Sequence, residues 1–83
     1  MRLDKYLKVS RLIKRRTVAG EIADKGKISV NGQVAKPAKQ LKEGDILTFC
    51  FANSTKSVRV LKIPETAVPV QEASSLYEEI SPE

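Results

Sequence analysis

The sequence predicts an α+β fold, with two short N-terminal helices packed on a small antiparallel or mixed sheet. Three observations point there. Apolar residues recur at helical intervals to about residue 25, and at every second position from residue 27 onward. Asn31-Gly32 lies between two short runs of the second kind and is a strong hairpin signal. The length of 83 residues suits one small domain, burying about 60–65% of its unfolded surface.

The first helix follows from Leu3, Tyr6 and Leu7, which fall within one arc of a helical wheel and form a core face. Arg2, Lys5 and Lys8 descend an adjacent stripe and give the same helix a cationic face. Asp4 precedes Lys8 by four residues, the favourable order for a side-chain pair. It also lies in the first turn, where a carboxylate suits the helix dipole. A second helix is expected from Arg16 to Lys25, with Val18 and Ile22 four apart and Ala19 and Ala23 beside them. Gly26 is its C-terminal stop. Gly20 inside it costs up to about 1 kcal/mol relative to Ala and is a candidate for close packing.

Strands come next. Ile28 and Val30 alternate with Ser29, and Gln33 to Ala35 return after the Asn31-Gly32 turn. Pro37 opens a loop. Glu43-Gly44-Asp45 is a turn before the run Ile46 to Phe51, in which Cys50 is a small core or strand residue. A polar turn over Ala52 to Ser57 leads to a strand from Val58 to Ile63, and Pro64 ends the domain. The expected division is a domain at 1–63 and an acidic tail at 64–83. The tail contains Pro69 and Pro82 and is expected to be partly disordered or a short helix around Glu72 to Ile80. Leu76, Tyr77 and Ile80 would pack on that helix or wait for a partner.

Charge narrows the function. Residues 2–16 hold seven Lys or Arg (Arg2, Lys5, Lys8, Arg11, Lys14, Arg15, Arg16) against one acid, Asp4. Residues 1–42 carry twelve cations and three acids, a net of +9, while residues 43–83 carry three and seven, a net of −4. A positive field confined to one half steers polyanions to that half. A solvated helix face normally mixes both signs. A membrane-binding helix would present Trp, Phe or Leu, and the chain has no Trp and four aromatics. No apolar run approaches the ~20 residues of a membrane span, and the charged N-terminus has no signal-peptide core. With no His and one Cys, a Ser-His-Asp triad, zinc ligation and an internal disulfide all lack their residues, so an enzyme is not expected and the compartment is expected to be the cytoplasm.

Nucleic acid is therefore the expected partner, without a cofactor. Arg11, Arg15 and Arg16 are the sharpest candidates, because guanidinium forks match phosphate oxygens. Arg16 also opens the second helix, whose unpaired N–H groups favour anions. Lys25 and Lys27, flanking Gly26, either complement the helix dipole or extend the phosphate track. A helix-turn-helix reader of DNA would need base-reading side chains on the second helix, but Thr17, Gly20, Glu21 and Asp24 stand there. Cations grouped on the first helix and the turn suit backbone and shape, the usual mode for structured RNA.

RLDKYL at 2–7, the basic turn, GKISVNG at 26–32 and the late EGD turn follow one another over residues 1–63. In this the chain resembles the RNA-binding domain named after protein four of the small ribosomal subunit, with its alpha-L motif. Arg15 stands where that family usually has a Ser or Thr helix cap, so a cap is exchanged for a cation. The chain looks like the stand-alone branch, with a likeness to its RqcP members and to the ribosome-binding heat-shock protein, whose branch KPAK at 36–39 and LYEE at 76–79 also resemble. The resemblance implies a ribosome-associated factor that binds rRNA and peptidyl-tRNA on obstructed large ribosomal subunits. There it would support alanine tailing of stalled chains beside RqcH, as a monomer when free. It implies an RNA site of Arg2, Asp4, Lys5, Lys8, Arg11, Lys14, Arg15, Arg16, Lys25 and Lys27. A ribosome-assembly or RNA-chaperone role on structured rRNA is the other reading, and a DNA-binding regulator a third.

Overall fold

Spacing of apolar side chains builds the two helices as expected. In the computed structural model, which describes residues 1–64 and 70–80, α1 spans Leu3–Val9 and α2 spans Arg16–Asp24. Leu3, Tyr6 and Leu7 are fully buried, and each leucine contributes about 1.5–3 kcal/mol of transfer free energy. On α2 the buried side chains are Ala19 and Ala23, with Ile22 half-buried and Val18 exposed. The core face of α2 is thus rotated from the Val18–Ile22 line, and its alanines let it lie close to the core. Gly20 is not a packing contact, since a Cβ there would meet nothing within 4 Å.

The sheet is antiparallel with strand order β2-β1-β3-β4-β5, so that β3 returns beside β1 and not beside β2. Its strands are β1 (Ile28–Val30), β2 (Gln33–Val34), β3 (Ile46–Cys50), β4 (Thr55–Val60) and β5 (Tyr77–Ile80). Asn31 and Gly32 adopt positive φ of 53° and 85°, the primed turn that such a two-residue hairpin needs. Asn31 is also a structural hub. Its side chain donates to Asp45 and accepts from the Ile46 amide at 2.9 Å, and the buried Asp45 carboxylate accepts from the Lys42 amide. Ile28, Val30, Leu47, Phe49, Val58 and Val60 face the helices and close the core with Leu41. Cys50 keeps its strand position but lies exposed on the other side.

Two expectations are corrected. The last central strand runs Thr55–Val60, not 58–63, and the connecting turn is shorter. Thr48 and Cys50 of β3 pair with Ser57 and Thr55, and the Thr48 and Ser57 hydroxyls lie 3.3 Å apart. The helix expected over 72–80 is a short helix α3 (Val70–Ala73), a 3-10 turn (Ser74–Leu76) and then β5. Leu76, Tyr77 and Ile80 are spaced like a helical stripe, but the open edge of β4 recruits this segment as a strand. Val60 pairs with Tyr77 and Ser57 with Ile80. Leu76 is buried in the core. Its carbonyl accepts from the Leu61 and Lys62 amides and from the Tyr6 hydroxyl at 2.7 Å. The line drawn at residue 63 therefore passes between neighbouring strands of one sheet. The expectation of disorder at Pro69 and Pro82 lies outside the described residues.

Candidate nucleic-acid interface

The interface begins with how the chain turns between its helices. Beyond Val9, Ser10 is buried and Arg11 takes φ 62°, a left-handed conformation that closes α1. Leu12 and Ile13 pack against the core, and the Ile13 amide donates to the Leu7 carbonyl at 3.1 Å. With its apolar residues held inward, the turn presents Arg11, Lys14, Arg15 and Arg16 to solvent. Arg15 is the N-cap of α2, extended at φ −122° and ψ 133°, and its side chain makes no cap bond. The helix thus starts at Arg16, with no acid in its first turn. Its leading N–H groups and the positive end of its dipole face outward among arginines.

Asp4 joins the two helices. Its carboxylate, almost fully buried, accepts from the Lys5 amide at 2.8 Å, lies 3.2 Å from the Arg2 guanidinium and 3.4 Å from Nε of Arg16. The expected pairing with Lys8 gives way to these two arginines. Both remain about half exposed, so water screens each pair to roughly 1 kcal/mol or less. The geometric result is larger than the energetic one. Two guanidiniums, one from the residue before α1 and one from the first residue of α2, are held side by side at the rim of a shallow groove that Thr17 and Gly20 continue.

Lys5 and Lys8 stand exposed on α1 in line with Arg2. Lys25 and Lys27 do not join this group. They lie past the far end of α2, whose nine residues rise roughly 13 Å from Arg16. Two further exposed cations, Lys36 and Lys39, lie in the turn after β2 and were not singled out by charge patterning. Backbone bonds from Leu3 and Asp4 to the carbonyls of Lys39 and Pro37 set their turn against the start of α1. Both belong to the KPAK segment at 36–39. Among the described residues no three His, Cys, Asp or Glu are grouped to hold a metal ion, and no helix is long and apolar enough to cross a membrane.

Residues 1–47 match the S4 domain family. The chain is 54% identical over 78 residues to the RQC P-site tRNA stabilizing factor of Halalkalibacterium halodurans, covering 94% of this chain and 88% of that protein. It is 40% identical over 79 residues to heat shock protein 15 of Escherichia coli, covering 95% of this chain and 59% of that protein. The trimeric structure of Vibrio cholerae heat shock protein 15 superimposes with a TM-score of 0.86 at 34% identity, over 98% of this chain and 82% of that one. By family match, identity and fold together, this chain belongs to the S4 domain family, in the branch of the RQC P-site tRNA stabilizing factors (RqcP) and heat shock protein 15.

Proposed function

We propose that this chain is a non-catalytic RNA-binding factor that steadies peptidyl-tRNA against rRNA on obstructed large ribosomal subunits and so supports alanine tailing of stalled nascent chains. The observation that carries the reading is the Asp4-held pair of Arg2 and Arg16 where the two helices meet. Paired guanidiniums beside an uncapped helix start suit an RNA backbone more than a protein groove. The name of the relatives, P-site tRNA stabilizing factor, supports the same substrate. In this reading the protein acts in the cytoplasm as a monomer when free, with RqcH on the same particle. The RNA contacts are Arg2, Lys5, Lys8, Arg11, Lys14, Arg15 and Arg16, with Asp4 orienting them and Lys25 and Lys27 extending the track.

The test is cosedimentation of the chain with large subunits that carry peptidyl-tRNA, vacant large subunits and assembly intermediates, followed by a reconstituted tailing reaction. Preference for the obstructed subunits and longer alanine tails are expected. Binding confined to assembly intermediates, with tailing unchanged, would replace this reading with a ribosome-assembly role.

A further inference from the structure

Lys36 and Lys39 belong to the turn after β2, and backbone contacts fix that turn between the two separated groups of cations. At one end, the Ala35 amide donates to the Ile28 carbonyl at 3.0 Å, carrying the β1–β2 register one residue past its last pair. Lys36 and Lys27 are the next residues along the chain on either side of that bond, both exposed. Neither lysine meets a carboxylate among the described residues.

At the other end, the Leu3 amide donates to Lys39 at 2.8 Å and Arg2 forms a bridge with Gln40. Lys39 is thereby seated beside the first turn of α1. Pro37 lines the groove that holds Arg2, Asp4 and Arg16, while Glu21 and Asp24 line it along α2. A polyanion entering at Arg16 is repelled by the C-terminal half of α2 and attracted to the turn.

We propose that the 36–39 turn is a second phosphate-binding element, along which an RNA backbone leaves the α1–α2 face and reaches the Lys27–Lys36 pair. The inference rests on the RNA-binding reading above and gives it a direction.

Unfractionated transfer RNA, titrated at several salt concentrations, tests this with the full chain and two double variants. One is Lys36→Ala with Lys39→Ala. The other, Lys56→Ala with Lys62→Ala, removes the same charge from β4 and the segment after it. Two lost phosphate contacts should reduce the magnitude of the log–log salt slope by about 1.4–2 in the first variant only, with its melting temperature unchanged or raised. An unchanged slope in the first variant, or an equal change in both, overturns the proposal and leaves the RNA-binding reading standing. Failure of the full chain itself to bind transfer RNA would remove that reading, and the proposal with it.

Discussion

Asp4 holds the guanidiniums of Arg2, just before α1, and of Arg16, at the start of α2, with one carboxylate while also satisfying an amide of its own first turn. Its presence as the one acid among seven cations was legible in the sequence. Its partners were not, because Arg16 reaches it across the turn while residue spacing favours Lys8. Arg16→Ala should weaken large-subunit RNA binding by about 1.5–3 kcal/mol, the worth of a charge-assisted hydrogen bond. Asp4→Arg adds a third cation to the group and should scatter both guanidiniums. Ribosome binding and tailing should then drop while circular dichroism still reports a folded chain. Wild-type binding by both variants would remove the site. Arg11 makes a different prediction. A left-handed non-glycine residue costs roughly 1 kcal/mol, so Arg11→Gly should raise stability by about that much in urea titrations yet bind RNA more weakly. A variant weaker in both respects would show that the side chain supports the fold.

At the scale of elements, the helices, the Asn31-Gly32 hairpin and the start of β3 were legible because each carries a local signal of period or turn chemistry. β5 was not. Its four residues read as a helix in isolation, and only the open edge of β4 makes them a strand. The consequence is testable by truncation after Ile63. This removes Leu76 from the core, where loss of such a side chain costs about 2–5 kcal/mol, and strips β4 of its partner. For a domain with about 5–15 kcal/mol in total, a cooperative melting transition should be lost or fall well below that of the full chain. Tyr6→Phe isolates one bond of this closure and should cost about 0.5–1.5 kcal/mol at neutral pH, since the Leu76 carbonyl keeps its two amide donors. Burial, and secondarily the nearby Tyr77, raises the Tyr6 phenol above its ordinary value of 10.0. Above about pH 10 the unfolded chain releases this proton while the folded one keeps it, so stability falls as pH rises. Thermal melts of Tyr6→Phe should therefore decline less steeply than wild type on the alkaline side.

At the scale of the whole molecule, the division of charge between the two halves of the chain was legible from composition. How that charge is arranged was less so. Lys25 and Lys27 follow Arg16 closely in sequence, yet the length of α2 parts them, while Lys39 is distant in sequence and stands beside α1. With about four to six phosphates neutralised, log affinity for structured RNA should fall against log salt with a slope of roughly −3 to −5. Random duplex DNA should bind more weakly at physiological salt. Equal affinity for the two would count against RNA specificity.

The bond from Tyr6 to Leu76 spans 70 residues of chain. A contact of such separation forms late in folding, because the loop must close before the contact is gained. During synthesis, Tyr6 leaves the ribosome long before Leu76, and until then its hydroxyl lacks this acceptor. The sheet likewise lacks its fifth strand until residues 77–80 have followed. Closing this end of the fold is therefore among the last events in making the protein.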